Sequence, residues 1–433
     1  MQERRRIFVT TAMGALTSES APVGGGVAVL EALLPELAAC EDLDVTLLRP
    51  GSSRTELEHG GCRVVALPVP CLAQRPIERM LHAGEREYAR FALEWEGSLS
   101  AAFAAIDPRG AIVVSNDVSE GPPFRELAER GFAQLVLYHV VVGEFFSRQY
   151  LGGFAPAWTA KAWRALQRTS LDRMTPELLS LVWTKESQAA RHAHAVVPST
   201  PLGRALADLY PASGIAGRTT VVPWGVLGSP EPTSRNRRAE TLARYDLEPG
   251  RFCLLTLSRI SREKRLDRLL AALERLESES PRVAARLAWI VAGEPAYMGG
   301  AKTYERLKSG AARLAHVSVR FTGYVSGAAK WDLFSAADLF CSCSAYEAYG
   351  LTIAQALASG TPVLSTDHQG ARSILTPATG LVVASSPREI AGGIRSFLDR
   401  DLSDMRRCAA AWGREHRFTV AAQRIANCLR ELG

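Results

Sequence analysis

Lysine is scarce in this chain, supplying only six of its 51 basic residues. The arginine bias reads as genome composition rather than chemistry. The net charge of +6 is spread along the sequence, and no basic stripe or nucleic-acid motif accompanies it. A nucleic-acid partner is therefore not expected, although a mild positive excess suits anionic substrates or lipid head groups. Long apolar runs are missing as well. No segment approaches the ~20 apolar residues that cross a bilayer. The opening stretch Met1-Gln-Glu-Arg-Arg-Arg-Ile-Phe-Val passes from charges straight into a short strand-like segment, without the longer apolar region of a secretory signal. A cytoplasmic location is expected. The eight cysteines form no Cys-x-x-Cys pair and no Cys/His cluster with zinc spacing. No metal is expected, and the thiols read as reduced, small hydrophobes.

What is present is the composition of a globular protein, 47% hydrophobic and 22% charged over 433 residues. That length is too great for one core and fits two domains of roughly 200 residues each. Short apolar strands alternate with longer helical patterns throughout, the signature of parallel sheets flanked by helices. Strands are predicted at 6–11, 45–48, 111–115 and 134–139. After Val221-Val-Pro-Trp-Gly-Val the polar, proline-bearing stretch 228–238 reads as a linker. A second series follows, with strands at 252–258, 289–293, 317–323, 338–344 and 363–365. A helix over 265–276 carries Leu266, Leu269, Leu270, Leu273 and Leu276 on one face.

The densest chemical signal is Ser344-Ala-Tyr-Glu-Ala-Tyr-Gly-Leu-Thr-Ile-Ala-Gln-Ala-Leu-Ala-Ser-Gly-Thr-Pro-Val363. Glu347 precedes a helix whose first turn includes Gly350 and Leu351, and Gly360 and Pro362 end it. A carboxylate thus sits beside a helix N-terminus, where unpaired N–H groups and the dipole favour an anion. The carboxylate suits sugar hydroxyls and the N–H groups suit a phosphate, together the needs of a nucleotide-sugar site. A second cluster is Leu257-Ser-Arg-Ile-Ser-Arg-Glu-Lys-Arg-Leu-Asp267. Arg259 and Lys264 lie at a strand-to-helix turn, able to converge on one diphosphate. A solvated basic loop is the plain alternative, since Arg262 and Arg265 are also there.

The first of these motifs resembles the donor-site signature of retaining GT-B glycosyltransferases, of the glycosyl transferases group 1 (family 4) type. That family carries Glu, seven residues, a second Glu, and then Ala-x-Gly-x-Pro-Val. Here Gln355 stands where the second Glu would be. The resemblance implies an α/β fold, GT-B, with two Rossmann-like domains facing a central cleft. Residues 1–222 would form the acceptor-side domain and 223–412 the donor domain, with a helix in 413–433 crossing back to the first domain. It implies that Arg259 and Lys264 neutralise the leaving diphosphate without a metal, and that Glu347 contacts the donor sugar. Backbone groups of Tyr349, Gly350 and Leu351 would face the distal phosphate or the sugar. Gln355 would meet the ribose, through a neutral bond about half as strong as a carboxylate's, or else pack inside its helix. Loops at Gly293 and at Tyr324 and Val325 would cradle the nucleoside, or serve only as turns. In the first half the glycine-rich run from Pro22 places Gly25 and Gly26 at a helix start, facing donor phosphate and acceptor in the family. His139 ends a strand and would contact the donor sugar, or merely cap that strand. Asp117 ends another strand and is a weaker acceptor candidate. The aromatic, basic region 145–183, including Tyr150, Phe154, Trp158, Lys161, Trp163, Arg164 and Arg168, reads equally as an acceptor cap, a peripheral membrane patch or ordinary packing.

The expectation is a retaining glycosyltransferase that moves a sugar from a nucleoside-diphosphate sugar (UDP or GDP) to a small-molecule acceptor. The nucleotide sugar would be a co-substrate, with no permanently bound cofactor. Two alternatives stand beside it. One is a catalytically impaired nucleotide-sugar binding protein, and the other a transferase acting on a lipid-linked acceptor. Neither the nucleobase nor the oligomeric state is readable.

Overall fold

A computed structural model describes residues 4–13, 24–73, 76–77, 80, 83–150, 161–163, 165–166, 169, 177–230, 235–296 and 299–432. Pro22 of the glycine-rich run lies outside these residues, as do Phe154, Trp158, Arg164 and Arg168. The chain divides into two compact units. Unit 1 is Met1–Pro223 with Thr419–Gly433, and unit 2 is Trp224–Phe418.

Unit 1 is built on eight strands: β1 (Arg5–Thr10), β2 (Leu43–Gly51), β3 (Thr55–His59), β4 (Cys62–Pro68), β5 (Ala111–Ser115), β6 (Ala133–Leu137), β7 (His194–Val197) and β8 (Thr219–Val221). Their order is β3-β4-β2-β1-β5-β6-β7-β8. All pairings are parallel except β3 with β4. The central strands are continuous apolar runs because helices cover both of their faces. β5, for example, is buried at every residue. β3 was missed in the sequence because it is polar and wholly exposed, a charged edge strand of the kind that discourages sheet-to-sheet association. The last helix, Phe418–Leu432, lies almost wholly within unit 1. There Arg430 pairs with Asp42 at 2.7 Å, and Arg5 donates to the Leu429 carbonyl.

Unit 2 carries β9 (Phe252–Leu257), β10 (Leu287–Ala292), β11 (Ser318–Gly323), β12 (Leu339–Ser342), β13 (Val363–Thr366) and β14 (Gly380–Val383). All are parallel, in the order β11-β10-β9-β12-β13-β14. The helix Leu266–Glu279 buries Leu266, Leu269, Leu270, Leu273 and Leu276, the leucine face predicted for it. The stretch read as a linker is shorter than expected, because a helix begins at Arg235. Arg238 anchors that helix by pairing with Asp338 at 2.8 Å and donating to the Ala336 carbonyl. A partner 100 residues away is invisible to local composition.

In both sheets the strand order reverses once among the parallel strands, between β1 and β5 in unit 1 and between β9 and β12 in unit 2. Loops leaving the carboxyl ends of neighbouring strands diverge at such a point and open a crevice, the usual place for a ligand in this class of sheet.

Candidate active site

Lys264 follows β9 and Glu347 follows β12, so the two flank the reversal in unit 2. They are 83 residues apart in sequence, yet the Lys264 Nζ lies 2.5 Å from the Glu347 Oε1. Ser344 Oγ donates to the same oxygen at 2.8 Å. Burial pushes the Glu347 carboxyl up, but the Lys264 ammonium, His368 and the hydrogen bonds from Lys264 and Ser344 outweigh it. The carboxyl ends below the usual glutamate range and is ionised at neutral pH.

The loop from Glu347 leads into the helix Leu351–Ala358, whose N-cap is Gly350 at φ 98°. A left-handed cap of this kind is strained for any side chain. It turns the chain from the Glu347 loop into the helix. Arg259 leaves the end of β9 and lies 3.7 Å from Glu263, whose carboxylate also accepts from Ser261. The Glu263 carbonyl in turn accepts from the Ala345 N–H, tying the Arg259–Lys264 turn to the Glu347 loop.

Gly293 ends β10 at φ 137°, and a Cβ there would stand 1.9 Å from the Ser258 carbonyl. Only glycine permits the ends of β9 and β10 to come so close. Its N–H donates to the Gly323 carbonyl, and Glu294 accepts from the Tyr324 N–H at 3.4 Å. Tyr324 and Val325 then lead to the helix Gly327–Ala336. The Tyr349 side chain has a structural duty, its buried hydroxyl accepting from the Gly225 N–H. Gln355 is also buried, and its Nε2 donates to the Leu227 carbonyl at 3.0 Å. A glutamate has no proton to donate there when ionised, which gives the departure from the expected motif a physical reason.

Sequence reasoning missed two residues. His368 caps the helix Gln369–Ile374 by accepting the Ala371 N–H on Nδ1. Its proton therefore sits on Nε2, 3.1 Å from Ser365 Oγ. Burial depresses the His368 imidazole. Gly370 donates its N–H to the Glu347 carbonyl, and a Cβ on it would stand 2.4 Å from the Tyr349 carbonyl. The run Asp-His-Gln-Gly just after a strand held the signal, a capping residue followed by a glycine.

Unit 1 assembles its own cluster. The helix Gly25–Ala38 begins at the expected glycines, and a Cβ on Gly26 would stand 2.8 Å from His139 Cδ2. His139 Nε2 donates to Asn116 Oδ1 at 2.9 Å. Burial lowers the His139 imidazole to about 4, so it is neutral at physiological pH. Asp117 is turned inward, accepting from the Thr11 hydroxyl and the Ala12 N–H at 2.9 and 2.8 Å. It ties the end of β1 to the end of β5. Among the described residues no His, Cys, Asp and Glu side chains group to hold a metal ion. No described helix is long and apolar enough to cross a membrane.

The sequence from 238 to 415 matches the family described as glycosyl transferases group 1. Residues 238–415 are thus similar to a glycosyl transferases group 1 domain. Among curated relatives of this domain, the chain is 30% identical to the alpha-monoglucosyldiacylglycerol synthase of Streptococcus pneumoniae over 41% of its own length and 39% of the relative's. It is 36% identical to the D-inositol 3-phosphate glycosyltransferase of Streptomyces coelicolor, again over 41% of the chain and 39% of the relative. A GDP-mannose-dependent phosphatidylinositol dimannoside mannosyltransferase of Mycobacterium tuberculosis matches at 30% over 45% of the chain and 47% of the relative. The chain thus spans less than half the length of these curated relatives. Solved structures extend the likeness in fold to nearly every residue. Sucrose-phosphate synthase from Thermosynechococcus elongatus superposes with a TM-score of 0.72 at 18% identity, over 99% of both chains. Anabaena HepE, solved with UDP and glucose, gives 0.67 at 15% identity over 99% of this chain and 100% of that one. The fold is GT-B, an α/β architecture of two Rossmann-like parallel-sheet domains.

Proposed function

We propose that the protein is a nucleotide-sugar-dependent glycosyltransferase acting with retention of anomeric configuration. The observation that carries the reading is the Lys264–Glu347 pair at the strand-order reversal of unit 2, next to the helix that starts at Leu351. The cation is already in place and is balanced by a carboxylate that can bond sugar hydroxyls. An arriving diphosphate would replace part of that balance. Arg259, Lys264 and the first N–H groups of the helix Leu351–Ala358 would then face the oxygens on which charge grows as the sugar departs. No protein base is required. The bond from anomeric carbon to phosphate oxygen breaks, the acceptor oxygen bonds that carbon on the same face, and its proton passes to the departing phosphate oxygen.

The nucleotide is assigned to the Gly293, Glu294 and Tyr324 loops, and His139 with Gly26 of unit 1 to the sugar. Curated relatives are named for GDP-mannose and for lipid or inositol acceptors. The acceptor assigned here is a hydroxyl compound, and extraction into detergent micelles or water would separate lipid-linked from small-molecule forms of it. The deciding experiment is turnover of UDP-glucose and GDP-mannose by the purified chain. Lys264→Ala should cut that turnover on the order of 100-fold, the size of one lost oxyanion donor. Unchanged turnover would remove Lys264 from the diphosphate. Nucleotide affinity without any turnover would instead make this chain a binding protein.

A further inference from the structure

The helix Glu177–His192 buries two adjacent charged residues, Lys185 at 2% exposure and Glu186 at 0%. Lone charges do not survive such burial, and each of these is satisfied by the backbone of a different loop. Glu186 Oε1 accepts the Val142 N–H at 2.6 Å, while its Oε2 accepts the Gly143 N–H at 2.8 Å and the Tyr210 hydroxyl at 2.9 Å. Val142 and Gly143 open the helix Val142–Tyr150, so Glu186 caps that helix from a neighbouring one. Gly143 admits no side chain there, since a Cβ would stand 2.7 Å from Trp183 and 2.9 Å from Glu186 Oε2. Only Val140 and the fully buried Val141 separate this cap from His139. Lys185 pairs with Glu96 at 2.6 Å and donates to the carbonyls of Gly121 and Pro122 at 2.9 and 3.1 Å. Those carbonyls belong to the loop that begins with Asn116, the hydrogen-bond partner of His139.

We propose that Glu186 and Lys185 are positioning residues, which from a single helical turn seat the two loops that carry the His139–Asn116 pair. Glu186 acts through the start of the helix Val142–Tyr150, and Lys185 acts through the loop after β5. A purely structural helix would satisfy packing with apolar residues at these positions. The buried ionisable pair instead addresses the backbone of the two segments that set the imidazole's place.

The proposal rests on the transferase reading and on His139 as a group of its site. The test measures hydrolysis or transfer from whichever of UDP-glucose, GDP-mannose and UDP-N-acetylglucosamine the intact chain turns over fastest. UDP and GDP affinities are measured beside it by calorimetry. Glu186→Gln is expected to lower kcat tenfold or more while leaving nucleotide affinity within twofold, because the nucleotide loops belong to unit 2. Combined with His139→Ala, it should add no further loss, since the imidazole that Glu186 seats is already gone. Lys185→Met should behave alike. If Glu186→Gln does not fold, Tyr210→Phe removes one of the carboxylate's donors and should give a smaller loss of the same kind. Wild-type kcat in Glu186→Gln, losses that multiply with His139→Ala, or a parallel fall in nucleotide affinity would each overturn the proposal. A His139→Ala variant with full turnover would instead show that His139 is outside the site. Absence of turnover in the wild type would remove the transferase reading itself, and this proposal with it.

Discussion

Gln355 shows how much a single side chain can ask of its surroundings. Its position eight residues after Glu347 was plain in the sequence, and so was its departure from the family pattern. The cause was not, because the Leu227 carbonyl it serves lies 128 residues away. Gln355→Glu would place a buried acceptor against another acceptor. It should destabilise the protein by about 1–3 kcal/mol, the cost of leaving a buried polar group unsatisfied. Urea unfolding checks this, and an unchanged midpoint would mean that the bond to Leu227 contributes nothing. Arg259, Lys264 and Glu347 were legible for a different reason. Their types and spacings within each loop marked them as candidates for anion and sugar binding, and the fold brings the two loops together.

At the scale of elements, the long apolar strands and the leucine-faced helix Leu266–Glu279 announced themselves by period alone. The strands that escaped notice included exposed β3 and four-residue β7, but also the seven-residue, mostly buried β4. The short helix Gln369–Ile374 escaped too, although it supports the back of the Glu347 loop through Gly370. Gly370→Ala would drive a methyl to 2.4 Å from the Tyr349 carbonyl, so helix and loop must separate. Overpacking of this kind costs typically about 1–3 kcal/mol. We expect a lower melting temperature together with UDP or GDP binding weakened roughly tenfold, in proportion to about 1.4 kcal/mol lost at the loop. Calorimetric titration decides it. Unaltered affinity would show that the loop does not hold nucleotide. The helix Glu177–His192 carries the opposite lesson, since its charged residues Lys185 and Glu186 look like a solvated face in sequence and are buried in the fold.

For the whole molecule, buried titratable groups in unit 1 set a pH dependence of stability. Burial raises Glu186 to about 7, against hydrogen bonds from Gly143, Tyr210 and Val142 and with a further push from Glu144. Burial and Asp117 raise Glu120 to about 7 as well, with Tyr88 and Lys185 opposing. A carboxyl with a raised folded pKa stabilises fully below its unfolded value near 4.5, and that contribution is lost as pH rises through about 7. For Glu186 the span corresponds to roughly 3 kcal/mol. His139 has the opposite sign. Its pKa is depressed to about 4, so its contribution holds above about 6.5 and is lost as pH falls. Between about pH 4.5 and 6.5 the two raised carboxyls lose more than the one depressed imidazole gains, so urea midpoints should fall as pH rises toward 7, and Glu186→Gln should flatten that fall. A fall unchanged in that variant would assign it to another group. By itself the sequence determined the α/β class and the parallel strands, and it marked Arg259, Lys264 and Glu347 as candidates, because those follow from local periodicity and residue type. Only the tertiary structure decided that Lys264 meets Glu347, that Gln355 serves Leu227 and that Glu186 seats the turn after His139. Each of these contacts joins loops far apart in the chain, at strand ends whose neighbours are set by sheet order, and no local pattern records that order.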